Sequence, residues 1–201
     1  VEIPPSDDEL AARAGRGDES AFAELVGRHK DRVASFLHGL LRDRDAALDL
    51  AQETFLRLYR HLPRYRPEGK LRTFLFTIAA NAARDALKAR RRAGIVYLSE
   101  YREVLEGGGR PRVGEPPRPS ATLEREDLRR EVRASLGLLP AVYREALLLR
   151  ETEELPYEEI ARVAECTVGT AKSRVSRARE AFRAAFERLR RRSERSGVGG
   201  A

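Results

Sequence analysis

Apolar residues recur three and four positions apart along nearly the whole chain, and nowhere do they alternate with polar residues over the length of a strand. That period admits helices and argues against a sheet. It fails once, from Ala93 to Ser120, where Gly107, Gly108, Gly109, Pro111, Gly114, Pro116, Pro117 and Pro119 cluster. Such a stretch buries too little apolar surface to order itself. The expectation is an all-α protein of two small helical domains joined by a flexible linker. Residues 1–92 form the first domain, 93–121 the linker, 122–192 the second domain and 193–201 a disordered tail.

Local signals place the helices. Ser6 and Glu9 form a capping box, and Gly15 can end the helix that it opens. Asp18 caps a second helix with the stripe Phe22, Leu25, Val26, Val33, Phe36, Leu37 and Leu40. A third carries Leu48, Ala51, Phe55, Leu58 and Leu62 and stops before Pro63. After a loop, a fourth runs from Lys70 to Arg92 with Leu71, Phe74, Leu75, Ile78 and Ala82 on its apolar side. Beyond the linker, Leu128, Val132, Leu136 and Leu139 form one stripe. Pro140 and Pro156 each suit the start of a helix. Thr167 is the expected N-cap of a last long helix with Val168, Ala171, Val175, Ala178, Phe182 and Leu189 inward.

The net charge of +7 and a pI near 10.0 suggest an acidic partner, nucleic acid before an anionic membrane. One cysteine, Cys166, precludes an intrachain disulfide, and with His29, His38 and His61 scattered it makes a poor metal set. No metal and no cofactor are expected. No apolar run reaches membrane-spanning length, and Val1 to Asp8 lack the pattern of a signal peptide, so a cytoplasmic location without membrane insertion is expected. A short helix from Pro156, a turn through Glu165, Cys166 and Thr167, and a basic second helix make a helix-turn-helix. On the second helix Lys172, Ser173, Arg174, Ser176, Arg177 and Arg179 fall between the inward positions. Arginine or lysine there can bond guanine O6 and N7 in a major groove, or hold phosphates. A solvated basic face on a bundle helix is the alternative.

Two segments carry a resemblance. Leu155-Pro156-Tyr157-Glu158-Glu159-Ile160-Ala161, then Cys166 through Arg174 and Arg177 through Glu180, resembles region four of the extracytoplasmic-function sigma factors of bacterial RNA polymerase, in the sigma-70 family. The resemblance implies contact with the minus-thirty-five promoter element through Lys172, Ser173, Ser176 and Arg177, with Arg174 nearby. Pro156, Thr167 and Ala171 depart mildly from the pattern. Asp49 through Leu56 resembles region two, which implies docking on core RNA polymerase through Asp49, Gln52 and Glu53. The acidic run that often precedes that motif is thinned here to Ala46, Ala47 and Leu48.

Gly69 through Asn81 is similar to the segment that reads and melts the minus-ten element, with Phe74 for the usual tryptophan and Phe76 for the usual tyrosine. The resemblance implies a capture pocket for an extruded base from Tyr65, Arg66, Phe74 and Asn81. Arg84, Lys88, Arg90, Arg91 and Arg92 would continue as a basic stripe along the DNA backbone. Base capture needs stacking surfaces and edge-reading polar groups in a positive surround, and these residue types supply them. The resemblance further implies an anti-sigma partner. A helix-turn-helix regulator without sigma activity is the rival reading, but it leaves the segments around Asp49 and Asn81 unexplained. An enzyme acting on nucleic acid would need a nucleophile or a metal cluster, and the sequence offers no clear candidate for either.

Overall fold

A computed structural model describes residues 4–66, 68–93 and 120–197, with residues 120–125 and 193–197 described by their backbone alone. The first half is α1 (Asp7–Ala14), α2 (Glu19–Leu41), α3 (Arg44–His61), a 3-10 turn (Leu62–Arg64) and α4 (Leu71–Arg92). The second is α5 (Ser120–Gly137), α6 (Ala141–Glu151), α7 (Tyr157–Val163) and α8 (Val168–Gly197). The described residues contain no strand, so the chain is all-α, with two helical domains. Most of the expected linker, 94–119, lies outside the described residues. The expected tail is a correction: α8 continues to Gly197, because the Arg-rich sequence after Leu189 consists largely of strong helix formers.

The helix starts follow their chemistry. Ser6 and Glu9 exchange both capping-box hydrogen bonds, and the Asp18 and Asp43 carboxylates accept from Ala21 N–H and Ala46 N–H. Thr167 Oγ1 accepts from Thr170 N–H at 3.1 Å and opens α8. Leu10, Leu25, Val33, Phe36, Leu37, Leu40, Leu58, Leu75 and Phe76 fill the first core. Phe76 meets Phe36 edge to face at 5.2 Å, so it is packing and not part of a base pocket. Two residues placed on apolar stripes face outward instead: Leu48 and Leu128 are each about half exposed, as is Val142 at the start of α6. A stripe wider than the contact it serves leaves its edge in water.

The two halves pack against each other. One buried cluster runs from Leu10 through Phe76 into Leu148, Leu149, Ile160 and Val175. Gly39 on α2 lets Leu148 of α6 approach. Arg144 reaches from α6 to Leu40 O at 3.0 Å, Leu139 O at 2.9 Å and Gly137 O at 3.3 Å. The Leu40 and Gly137 carbonyls belong to the C-terminal ends of α2 and α5, where carbonyls lack helical donors and the helix dipole is negative, and Leu139 lies in the turn just beyond α5. One buried guanidinium thus fastens the ends of two helices from opposite halves.

Candidate nucleic-acid interface

α7 and α8 form the helix-turn-helix. Cys166 N–H donates to Ala161 O at 2.9 Å, and Glu165 turns the chain with a positive φ of 48°. Ala171, Val175 and Ala178 are buried, which rotates Lys172, Ser173, Ser176 and Arg177 into solvent on one face. Lys172 Nζ lies 5.7 Å from the centre of the Tyr157 ring, and the Arg150 guanidinium lies 4.9 Å from it. Two residues expected on the open face are drawn off it. Arg179 is paired with Glu151 at 2.6 Å, and Arg174 is half-buried near Glu145.

Around α4, Tyr65 stacks on Phe74 with ring centres 5.8 Å apart and 27° between planes. His61 meets the other ring at 5.9 Å, edge-on. The Tyr65 hydroxyl donates to Asp8 Oδ1 at 3.0 Å. Burial and then the Asp8 carboxylate push this phenol well above the ordinary tyrosine range. Arg66 and Lys88 are exposed. Asn81 stands two turns further along α4, about 10 Å from Phe74 along the axis, with its side-chain oxygen taken by Arg84. Tyr65 and Phe74 therefore come together, while Asn81 belongs to a separate cluster.

That cluster faces α7. Arg84 pairs with Glu145 at 2.5 Å and Glu165 at 3.0 Å and donates to Val163 O at 3.1 Å. Thr73 hydrogen-bonds Glu159 across the same junction. Burial raises the Glu145 carboxyl above its ordinary range, opposed by Arg84 and then Arg174. The expected basic stripe is shortened at its far end too: Arg90 is paired with Asp43 at 2.7 Å.

On α3, Asp49 and Gln52 are exposed and Glu53 is half-buried, paired with Arg57 at 2.8 Å. Leu48, Leu56 and Tyr59 lie exposed beside them. The acidic motif is therefore the polar half of a mixed apolar face. The alternation of roles was not legible from periodicity, which assigns Leu48 to the core.

Residues 25–93 match the sigma-70 region 2 family and residues 129–182 match sigma-70 region 4. The RNA polymerase sigma-H factor of Pseudomonas aeruginosa is 36% identical over 92% of this chain and 96% of its own length. The chain belongs to the sigma-70 family. The extracytoplasmic-function (ECF) sigma-E factor of Escherichia coli is 37% identical over 88% of this sigma factor and 92% of its own length. Among the similar solved structures are two complexes. CnrH in complex with the cytosolic domain of CnrY has a TM-score of 0.63 at 25% identity, covering 90% of this chain and 97% of CnrH. The sigma factor RpoE with the anti-sigma factor NepR, from Bartonella quintana, has a TM-score of 0.60 at 27% identity, covering 83% of this chain and 96% of that one. The α8 face falls inside the region 4 match and the Tyr65–Phe74 stack inside the region 2 match. α1 precedes both. Among the described residues no group of His, Cys, Asp and Glu could hold a metal ion, and no helix is long and apolar enough to cross a membrane.

Proposed function

We propose a division of labour for this sigma factor, which gives core RNA polymerase its promoters. The second domain, within 122–192, lays α8 in the major groove of the minus-thirty-five element. Lys172, Ser173, Ser176 and Arg177 point at base edges and phosphates, with Arg174 behind them beside Glu145. The first domain, within 1–92, captures bases of the minus-ten element on Tyr65, Arg66 and Phe74. Asn81, Arg84 and Lys88 follow the strand along α4. Asp49, Gln52 and Glu53 dock on polymerase, with Leu48 and Leu56 adding apolar contact to the same face. The protein works in the cytoplasm, catalyses no reaction of its own and is held in check by an anti-sigma factor. The similar structure of the sigma factor RpoE with the anti-sigma factor NepR supports such a partner.

The observation that carries the reading is that the exposed face of α8 and the half-buried Tyr65–Phe74 stack lie apart, each inside the segment that matches its own sigma region. The packing adds a requirement. The positions that name the two elements differ by 25, or about 85 Å of duplex at ~3.4 Å per pair. α4 packs on α7 and α7 on α8, so two helix spacings of 8–10 Å place the reading helices within about 20 Å. Both elements are read only after α7 leaves α4, which also frees Arg84 for DNA. Run-off transcription with core polymerase and this protein alone is the test. Specific starts are expected. DNA binding without starts would favour a helix-turn-helix regulator.

A further inference from the structure

Asp8 sits on α1, outside both segments that match the sigma regions, yet it closes the loop that holds Tyr65. One carboxylate oxygen accepts from the Tyr65 hydroxyl at 3.0 Å, and the other accepts from Gly69 N–H. A single side chain thus bridges the two ends of the 65–69 loop from a helix almost sixty positions earlier in the chain. Gly69 has φ of +71°, a left-handed conformation in which its N–H meets this carboxylate and which costs a glycine little.

The rest of α1 keeps Asp8 in place. Asp7, its neighbour, bonds His29 Nε2 at 2.7 Å and Arg28 at 3.0 Å on α2, and Arg28 also donates to Pro5 O at 2.8 Å. Burial raises the Asp7 carboxyl, and Arg28 and His29 more than reverse it, so its net shift is downward. Leu10 and Ala11 are fully buried. At Gly15 a methyl group would stand 2.5 Å from Leu62 O, so the end of α1 presses on the 3-10 turn that leads into the loop. The helix is anchored on three sides, and of its three first-turn carboxylates Asp7 is held by α2, Glu9 by Ser6 and Asp8 by the loop.

We propose that Asp8 is a positioning residue for minus-ten recognition. It holds Tyr65 against Phe74 and fixes the loop's opening, and so sets how strictly one extruded base is preferred over the others. The inference rests on the assignment of this loop as the base-capture site. A stacking platform held by two charge-assisted hydrogen bonds presents one shape, whereas a released loop accommodates several bases about equally.

The test uses the full-length protein on core polymerase. The probe is a duplex promoter selected from a randomised pool by the wild-type protein, together with single-base variants across its minus-ten element. Permanganate reactivity measures open complexes, and the readout is the ratio between the preferred and the substituted base. Asp8→Ala should lower that ratio about three- to tenfold, the size of a typical net hydrogen-bond contribution. Asp8→Asn, which preserves shape but whose amide nitrogen cannot accept, should fall between. Tyr65→Phe should lower the ratio in the wild-type background and do little more in Asp8→Ala, because the two share one bond. Circular dichroism of each variant separates loss of fold from loss of positioning. An equal loss on every base variant, with the ratio unchanged, would overturn the proposal. So would an unchanged ratio in Asp8→Ala beside a collapsed one in Tyr65→Ala, and there the capture loop itself survives. An unchanged ratio in both Tyr65→Ala and Arg66→Ala would remove the capture loop and this inference together.

Discussion

Replacing Gly39 with glutamine should make the first domain more stable and the closed arrangement less so. Gly39 lies within α2, where a helix former gains about 0.5–1 kcal/mol over glycine. A Cβ at this position would stand 2.8 Å from Leu148 Cδ1 and 3.2 Å from its Cδ2. Leu148 is 6% exposed and packs across the domain junction, so either its methyls or α6 itself must shift to admit the new side chain. Overpacking of a close contact costs about 1–3 kcal/mol, and that shifts the open-to-closed ratio about 5- to 150-fold. Small-angle scattering reads the outcome directly. A chain of this length packed as one body has a radius of gyration of about 16–17 Å, and the variant should expand. Core polymerase should bind the variant more tightly, by up to the same factor, because less of the protein sits in the incompetent state. An unchanged radius and unchanged polymerase affinity, with the stability gain present, would refute the reasoning.

Arg177→Ala should cost about 1–3 kcal/mol at particular upstream base pairs. An equal loss on every sequence in a binding assay would reduce it to a phosphate contact. Asp49→Arg with Glu53→Arg should weaken polymerase association about tenfold or more by placing like charges together, and Leu56→Ser should weaken it too. Undiminished co-purification would remove α3 as the docking face. Rising pH should favour opening. Glu145 and Glu153 are raised by burial, opposed by Arg84 and Arg32 respectively, so closure binds protons. The closed state is therefore favoured below their raised values and loses that advantage as pH climbs from about 4.5, the ordinary glutamate value, through them. Scattering across that range checks the sign, and Glu145→Gln with Glu153→Gln should flatten the response.

Capping residues and apolar spacing made the helices legible. Ser6, Asp18 and Thr167 each sit where the chain alone places a cap. The exposed face of α8 was legible for the same reason, since Ala171, Val175 and Ala178 set its rotation. What periodicity misses is contact between elements distant in sequence. Arg84 and Arg90 read as a free basic stripe, but carboxylates on α7's turn, α6 and the start of α3 claim them. Asp8 reads as one of several acidic residues in a first turn, and only the fold brings Tyr65 and Gly69 to it. Leu48 reads as core because spacing reports a face and not what covers it.

The distance between the two halves, free and on a promoter, bears most directly on the account. Fluorophores at Lys30→Cys on α2 and Ala184→Cys on α8, both exposed positions, with Cys166→Ser, report it by energy transfer. The account predicts a single short distance in the free protein and an increase of tens of ångströms in the complex with polymerase and promoter, toward the ~85 Å between elements. A distance that stays short in a transcribing complex would contradict it.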